Sequence, residues 1–561
     1  MVRWLKPLLP HLAIGCLLCL VSVQAAPSEV AAGSAVITTN SLLSRTATLA
    51  SDYFEGRGPG TRGEERTTSW LVDQFRGLGL KPGGANGSWF QEVPMVGVKS
   101  TTQLSLKHGG QTESLVFPQD FVSWSPIQRD SVALQDAELV FVGYGVAAPE
   151  YNWDDFKGVD VRGKIVVMLI NDPPVPDPKD PSKLDDSMFR GKAMTYYGRW
   201  TYKFEIAAAR GAVGALIVHE TQPAAYPWFV VVNSWGRERF DLEGPSGPQL
   251  QMAGWLSLER AQKLFAAIGS TYEQAKRQAL QRDFKPIPLG IRADVTVTNS
   301  LRHIRSKNVL ARLDGSDRRL RDEWVVVTAH WDHLGIDSTR TGDTIFNGAA
   351  DNAIGTAGLL ELATGFTHLP KPPRRSILFA AVTGEEQGLL GAAYYAAHPL
   401  HPLDHTVAAI NMDGLNTWGI TRDIAIVGLG NSTLDDTVRA VAARQGRTVR
   451  AEPNPEKGIF YRSDHFEFAK AGVPALYVKA GVEFVGRPAD YGARKSDEFT
   501  ERDYHKVSDE VKPDWDLSGA VEDLRLLLEV TDRVATDATW PEWKPGTEFK
   551  ARRDEMLKPL R

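Results

Sequence analysis

The chain has 561 residues, more than one hydrophobic core usually holds, which predicts two or three domains. Its hydrophobic content is 42%, and its 50 glycines and 33 prolines follow no period, which excludes fibres, coiled coils and extended disorder. The formal net charge of −5 makes nucleic acid an unsuitable partner, so none is expected.

Residues 1–25 are predicted to be a cleaved signal peptide. Arg3 and Lys6 precede an apolar stretch at residues 8–23, and the small residues that follow are typical of a cleavage site after Ala25. We therefore expect an exported protein, periplasmic or extracellular, without stable membrane association after cleavage. A membrane anchor is one alternative, although prolines shorten the apolar run. A lipoprotein signal at Cys16 is another.

Both cysteines, Cys16 and Cys19, lie in this predicted signal peptide. The mature chain is therefore expected to form no disulfide and no cysteine-ligated metal site. Any metal ion must be held by histidines and carboxylates.

Residues 41–130 are predicted to form the first segment of the main domain. A helix, a Gly-rich loop and an amphipathic helix occupy residues 41–84, which lack a strand of their own and should pack on later elements. Residues 131–297 contain the apolar strands "AELVFVGYGV", "GKIVVMLIND" and "VGALIVHE" around the helix "KFEIAAARGA". This block is interpreted as a separate inserted α+β domain.

Strands and helices alternate from about residue 298 to residue 540. Such alternation is typical of an α/β fold with a mostly parallel central sheet flanked by helices. Residues 541–561 form a charged tail, which we expect at the periphery.

Polar residues recur after successive apolar strands of this block. The ordered set is His330 and Asp332 after "WVVVTA", Asp351 in "NGAADNAIG", Glu385 and Glu386 after "SILFAAVTG", and Asp413 after "VAAINM". An isolated H-x-D would more simply be an ion pair at a strand end. Because the carboxyl ends of parallel strands lie at one edge of a sheet, however, these groups are expected to converge on a site.

Convergent carboxylates repel one another unless a cation lies between them. Imidazole and carboxylate ligands suit zinc, and a shared carboxylate can hold two ions about 3.5–4 Å apart. The sequence therefore predicts two zinc ions. Adjacent Glu385 and Glu386 should point in different directions, so that one can bind metal while the other acts as a base. Two solvated surface glutamates are the alternative.

A further nitrogen ligand is expected from the C-terminal part of the chain. The candidates are His465 in "YRSDHFEF" and His505 in "DYHKVSDE". Composition and spacing do not choose between them.

The ordered motifs resemble metallopeptidase family 28, the co-catalytic zinc aminopeptidases. They are H-x-D, G-x-x-D-N, Glu-Glu, N-x-D-G, S-D-H-x-x-F and Y-H-x-x-x-D, and the resemblance covers residues 41–130 and 298–535. It implies a zinc-peptidase-like fold in which His330 and Asp413 bind one zinc, Glu386 and His505 bind the other, and Asp351 bridges both.

The resemblance also implies roles for neighbouring residues. Glu385 would be the general base, and Asp332 would orient the metal-binding histidine. Tyr504 and Tyr461 match positions from which a tyrosine donates to the oxyanion. His465 would support the site without contacting metal. The inserted block resembles a protease-associated domain, with a role in substrate access or only in packing.

The expected function is an exported zinc-dependent exopeptidase that hydrolyses peptide bonds with a metal-activated water. An aminopeptidase acting on peptides is favoured, and a carboxypeptidase or dipeptidase would use the same site. A glutaminyl cyclase, which generally holds one zinc, and a non-catalytic receptor-like binding protein are further alternatives. The sequence does not indicate whether the protein is a monomer or an oligomer.

Overall fold

The computed structural model describes Met1, residues 30–244 and residues 247–558. The predicted signal peptide therefore lies outside the described residues apart from Met1. Within those ranges, no helix combines the length and the apolar character needed to cross a membrane.

The described ranges contain twenty strands, β1 to β20 in chain order: Lys81–Pro82, Phe90–His108, Gln111–Ser114, Phe121–Trp124, Ser131–Phe141, Ala147–Ala148, Trp153–Asp154, Ile165–Leu169, Gly214–Val218, Arg239–Leu242, Met252–Leu256, Ile287–Leu313, Trp324–His330, Gly335–Ile336, Ile345–Phe346, Ser376–Val382, Thr406–Asn411, Asp423–Ile426, Thr448–Ala451 and Ala475–Ala480.

The same ranges contain fifteen α-helices, α1 to α15: Ala31–Val36, Thr39–Leu49, Arg62–Gly77, Trp200–Ala209, Thr221–Ala224, Trp228–Trp235, Leu258–Ala267, Tyr272–Gln278, Ile354–Thr367, Leu390–Ala397, Leu434–Arg444, His465–Lys470, Tyr491–Arg502, Ser518–Thr536 and Lys550–Leu557.

One 16-stranded sheet organises the molecule, with the main order β19-β18-β20-β17-β13-β16-β12-β5-β8-β9-β11-β4. The neighbours β20, β17, β13 and β16 are parallel, and so are β5, β8, β9 and β11. Strand β12 joins these two groups because it runs antiparallel to both β16 and β5. The predicted α/β fold with a mostly parallel sheet flanked by helices is confirmed.

We use two names below: the C-terminal region, residues 298–540, and the inserted region, residues 131–297. In the C-terminal region both faces of the sheet are covered. Val325 and Val327 of β13 belong to the hydrophobic cluster on one face, and Val326 to the cluster on the other. Successive strand residues point to opposite faces, and burial of both explains why β13 is apolar throughout.

The inserted region has two hydrophobic clusters of its own. Phe141 of β5 packs against Phe265 and Phe284 on one face, whereas Val140 belongs to the opposite cluster with Trp255. That this block is a separate inserted α+β domain stays a prediction. Its strands continue the common sheet. The physical reason is the 27-residue strand β12, which runs through both regions and pairs with each.

The first segment packs on later elements as expected. Apart from the two-residue β1, residues 41–84 form no strand, and β2 pairs with β12 along its whole length. The peripheral position of the charged tail stays a prediction, and two of its aromatic residues anchor it to the rest of the molecule. Trp543 is buried and donates to the Gly472 carbonyl at 2.8 Å, and Phe549 stacks on Phe460, because burial of aromatic rings is favourable.

Candidate metal and catalytic site

The site lies at the carboxyl ends of the parallel strands. Strand β13 ends at His330, and Asp413 follows the end of β17. After β16, Gly384 adopts φ 66° and turns the chain so that Glu385 begins a short 3-10 turn. Asp351 lies in the irregular turn that precedes α9. The parallel topology thus brings these four side chains to one edge of the sheet.

One group of potential ligands surrounds His330. Its Nε2 atom lies 3.4 Å from Asp351 Oδ1 and 3.6 Å from Asp413 Oδ1. This nitrogen is buried and has no hydrogen-bond partner in the part of the chain that the structure describes. The candidate ligand atoms of the three residues lie within 4.8 Å of one another, a spacing that suits one metal ion.

A second group shares Asp351. Its Oδ2 atom lies 3.4 Å from His505 Nε2, and Glu386 Oε2 lies 3.1 Å from the same nitrogen. His333, Asp351 and Glu386 also place ligand atoms within 4.8 Å of one another. Asp351 therefore turns one oxygen towards each group, which is the arrangement that a bridging carboxylate requires.

No role was predicted for His333 from the sequence. Its Nδ1 atom lies 2.6 Å from Glu386 Oε1, and burial lowers the pKa of the imidazole, which favours the neutral form. The sequence feature that could have indicated His333 as a site residue is its position in "TAHWDHLG", three residues after His330.

The two adjacent glutamates point to different places. Glu386 contacts His333 and His505, whereas Glu385 Oε2 lies 3.9 Å from His330 Nε2, and both glutamates border a cavity. Burial raises the pKa of Glu385 well above its usual value, although the charge of His330 opposes this rise. A glutamate with a raised pKa can accept a proton and hold it.

The pKa of Asp351, the carboxylate that the two ligand groups share, shifts in the opposite direction to the pKa of Glu385. Burial alone would raise the pKa of Asp351, but the nearby imidazoles of His330 and His505 outweigh burial and hold the pKa well below its usual value. The carboxylate is therefore ionised, as a metal ligand must be.

Asp332 contacts both sides of the site. His330 Nδ1 lies 3.1 Å from the Asp332 carbonyl oxygen and 3.9 Å from Oδ1, while the Glu385 backbone N–H donates to Oδ1 at 3.2 Å. The carbonyl is thus nearer to the histidine, and the carboxylate holds the backbone of the glutamate.

Two residues hold the loop that carries Asp351, and neither was assigned a role from sequence. Asp509 accepts the backbone N–H groups of Ala350 and Asp351 at 2.9 and 3.0 Å. The buried guanidinium of Arg57 donates to the Trp331 and Gly348 carbonyls at 2.9 and 2.8 Å. Asp509 is the last residue of the Y-H-x-x-x-D motif, which was a usable signal.

The two C-terminal histidines lie in different surroundings. His505 faces the carboxylates, whereas His465 is buried between the rings of Phe460 and Tyr477, at centroid distances of 4.9 and 5.0 Å. Neither nitrogen of His465 has a hydrogen-bond partner within the described ranges, and burial lowers its pKa to about 3.

The two predicted oxyanion donors also differ. The Tyr461 hydroxyl donates to Glu548 at 2.8 Å, so this proton already has an acceptor. Tyr504 borders the cavity, and its ring centroid lies 4.0 Å from that of His505. Burial raises the pKa of Tyr504 well above its usual value, so the hydroxyl keeps its proton.

The inserted region forms one wall of this cavity, whose volume is about 220 Å³. From α6, the Ser234 hydroxyl lies 2.9 Å from His505 Nδ1, and the Asn233 amide donates to the His505 carbonyl at 3.1 Å. His505 adopts φ 56°, a left-handed conformation that non-glycine residues rarely adopt. Contacts from the inserted region therefore help to hold a strained residue of the site.

Comparison with known proteins gives a family match to the C-terminal part of the chain. Residues 308–528 match the family model described as "Peptidase family M28". A vacuolar membrane protease of Ajellomyces capsulatus is 31% identical over 129 residues, which are 21% of this chain and 12% of that protein. Aminopeptidase NAALADL1 of Mus musculus is 35% identical over 155 residues, 26% of this chain and 18% of that protein. The matches thus span less than a fifth of these relatives.

An aminopeptidase structure from Aneurinibacillus sp. strain AM-1 superposes with a TM-score of 0.51 at 17% sequence identity. The superposition covers 92% of this chain and 97% of that one. The two proteins therefore share a fold that includes both the C-terminal and the inserted regions.

Proposed function

We propose that this protein, whose residues 308–528 match the model of peptidase family M28, is an exported zinc-dependent aminopeptidase that releases amino-terminal residues from peptides. One observation carries the proposal: two groups of potential ligands share Asp351 beside Glu385 at the edge of a cavity. The predicted signal peptide at residues 1–25 supports export.

The donor set fits two zinc ions. His330 and Asp413 would hold one ion, Glu386 and His505 the other, and Asp351 would contact both. The fit rests on the buried Nε2 atoms of the two histidines, which face carboxylates and have no hydrogen-bond partner among the described residues. When bound, zinc supplies Lewis acidity that brings the pKa of a water molecule towards neutrality.

Glu385 is the proposed general base. It borders the cavity, and its backbone is held by Asp332, so its carboxylate can take a proton from the attacking water. Its raised pKa lets it keep that proton until the leaving amine receives it. General-base catalysis of this kind contributes about 10²–10⁴ in rate.

Tyr504 is the better placed of the two proposed oxyanion donors. Its hydroxyl has no hydrogen-bond partner in the described parts of the chain, whereas the Tyr461 hydroxyl is engaged by Glu548. A protonated phenol beside the reacting carbonyl can donate to the oxygen as negative charge develops there.

The two overlapping ligand groups also help to choose between the alternative functions. A glutaminyl cyclase generally needs one zinc, so two groups favour peptide hydrolysis. A receptor-like protein would need neither a complete donor set nor a base, and the proposed site includes both.

The experiment combines zinc analysis with substrate hydrolysis. Purified mature protein is expected to contain close to two zinc ions per chain, as two-metal sites do. It should cleave aminoacyl anilides with a free amino terminus and leave the acetylated versions intact. Removal of zinc by a chelator should abolish cleavage, and added zinc should restore it. One ion per chain, or equal cleavage of acetylated substrates, would contradict the proposal.

A further inference from the structure

A third histidine, His333, lies beside the proposed metal ligands in a closely fitting position. It comes shortly after β13, and only 1% of its surface is exposed. Its backbone N–H donates to the Arg57 carbonyl at 3.3 Å. Gly348 lies against the ring with φ 54°, and a Cβ atom there would be 2.5 Å from the ring atoms Cγ and Cδ2, which is too close for packing. The fold therefore keeps this space free for the imidazole.

The distance from His333 to Glu386 differs from the distances among the proposed ligands. With zinc–ligand bonds of about 2.0–2.1 Å and tetrahedral angles, two ligand atoms on one ion lie about 3.3–3.4 Å apart. The His505 Nε2 atom lies 3.4 Å from Asp351 Oδ2 and 3.1 Å from Glu386 Oε2, close to this value. The His333 Nδ1 atom lies only 2.6 Å from Glu386 Oε1. This is a hydrogen-bond distance and is too short for two ligands of one zinc ion.

The two oxygens of the Glu386 carboxylate have different partners. Oε1 faces His333, and Oε2 faces His505. A carboxylate that binds metal is ionised, so it accepts the hydrogen bond and the His333 Nδ1 atom donates it. The hydrogen bond fixes the rotation of the carboxylate and leaves Oε2 available to an ion. Hydrogen bonds of this kind orient metal ligands and tune their affinity.

His333 and its neighbour Asp332 hold the two adjacent glutamates. Asp332 accepts the backbone N–H of Glu385 at 3.2 Å, and His333 contacts the side chain of Glu386 at 2.6 Å. The loop after β13 thus supports the turn after β16, its parallel neighbour in the sheet. One contact holds the residue proposed as the base, and the other holds a residue proposed as a ligand.

We propose that His333 is a positioning residue, which holds Glu386 in the orientation where Oε2 faces the zinc ion that Glu386 and His505 would bind. This inference deepens the proposed function and rests on it. It concerns one of the two ions, because Glu386 is not part of the ligand group around His330. Loss of the hydrogen bond should therefore weaken the binding of one zinc ion and spare the other.

The substitution His333→Leu removes the donor and keeps a side chain of similar size. Zinc titration in competition with a chelating dye measures both affinities. We expect the affinity for one zinc ion to fall by about 10- to 100-fold and the affinity for the other to change by less than about twofold. After dialysis against a chelator that leaves both ions on the wild type, this variant should retain one zinc ion per chain. The retained ion also shows that the variant is folded.

Two further variants separate the hydrogen bond from packing. The amide nitrogen of asparagine can lie close to the position of imidazole Nδ1, and it donates in the same way, so His333→Asn should bind both ions like the wild type. His401→Leu is the matched control. His401 stacks on Trp324 at a centroid distance of 3.6 Å, at the other end of β13, so this change should leave both zinc affinities unaltered.

The outcomes separate the role of His333 from the proposed function. If His333→Leu keeps both wild-type affinities, weakens both ions equally, or is matched by an equal loss in His333→Asn, the positioning role is wrong, and peptide cleavage by the wild type still supports the peptidase. If the wild type binds two zinc ions and cleaves nothing, the proposed function fails, and the zinc affinities of the variants still decide the role of His333. A wild type that binds one zinc ion or none overturns both.

Discussion

The C-terminal and inserted regions contribute different parts of one site. Proposed metal ligands and the base follow parallel strands of the C-terminal region, whose sheet is buried on both faces. The inserted region contributes α6, which contacts His505, and Arg199, which borders the cavity. The proposed chemistry therefore depends on the edge of the sheet, whereas the proposed fit of a substrate depends on a second region placed across from it.

Some of the contacts between the regions are polar and lie close to the site. Arg237 of the inserted region pairs with Asp337 at 3.2 Å, and the Phe240 N–H donates to the Gln387 side chain at 3.2 Å. Gln387 follows directly after Glu386, so this contact reaches the turn that carries both glutamates. Substitutions in the C-terminal region should therefore lower turnover or metal affinity strongly, whereas substitutions in the inserted region should have smaller effects on metal binding or on stability.

The largest effect is expected in the C-terminal region. Glu385→Gln removes the proposed base while keeping the size of the side chain, and we expect kcat to fall by about a thousandfold. Zinc content should stay at the wild-type level because the ligands are untouched. Steady-state kinetics and elemental analysis on the same preparation test both statements. Wild-type turnover by this variant would show that Glu385 is not the base.

A smaller effect is expected from Asp332→Asn. The change removes a negative charge that lies 3.9 Å from His330 and receives the Glu385 N–H. Substitution of residues that hold a metal ligand in place changes metal affinity by about 10- to 100-fold. Competition with a chelating dye measures the zinc affinity of the variant. An unchanged affinity would mean that the Asp332 carbonyl, rather than its carboxylate, orients the histidine.

The inserted region should respond to acid through His219. This histidine is buried against the Tyr226 carbonyl at 3.0 Å, and burial lowers its pKa from 6.5 to about 4. Between these values the unfolded chain binds the proton and the folded chain does not. Stability should therefore fall as the pH drops from 6.5 towards 4, by about 2 kcal/mol from this residue.

The test is urea unfolding followed by tryptophan fluorescence at pH 6.5 and pH 4.5. The ring of Trp228 lies 5.4 Å from that of His219 and reports on the inserted region. His219→Gln should lose less stability than the wild type over this interval, whereas the exposed control His368→Gln should behave as the wild type. Equal losses in all three proteins would exclude His219 as the cause, since zinc release acts on each of them.

The smallest effect is expected across the contact of the two regions. Ser234→Ala removes the hydroxyl that lies 2.9 Å from His505 Nδ1, and we expect zinc affinity to fall by about tenfold or less while one zinc per chain remains tightly bound. Ser270→Ala, a serine of the same region without a side-chain contact to the site, is the control. If both variants bind zinc like the wild type, the inserted region does not support the metal site.

The sequence by itself predicted which polar residues lie together at one edge of the sheet. Apolar runs predict strands, strands that alternate with helices predict a parallel sheet, and the polar residue after each strand then lies at a common edge. This reasoning needs only local patterns, and it placed His330, Asp351, Glu385, Glu386 and Asp413 together. The spacing of the motifs did not distinguish His465 from His505, because neither histidine directly follows a strand.

Only the tertiary structure decided what surrounds those residues. The contact of Ser234 with His505 joins positions 271 residues apart, and the Asp351 turn is held by Asp509 from 158 residues away. Such pairings depend on how β12 joins the two halves of the sheet, which no local pattern encodes.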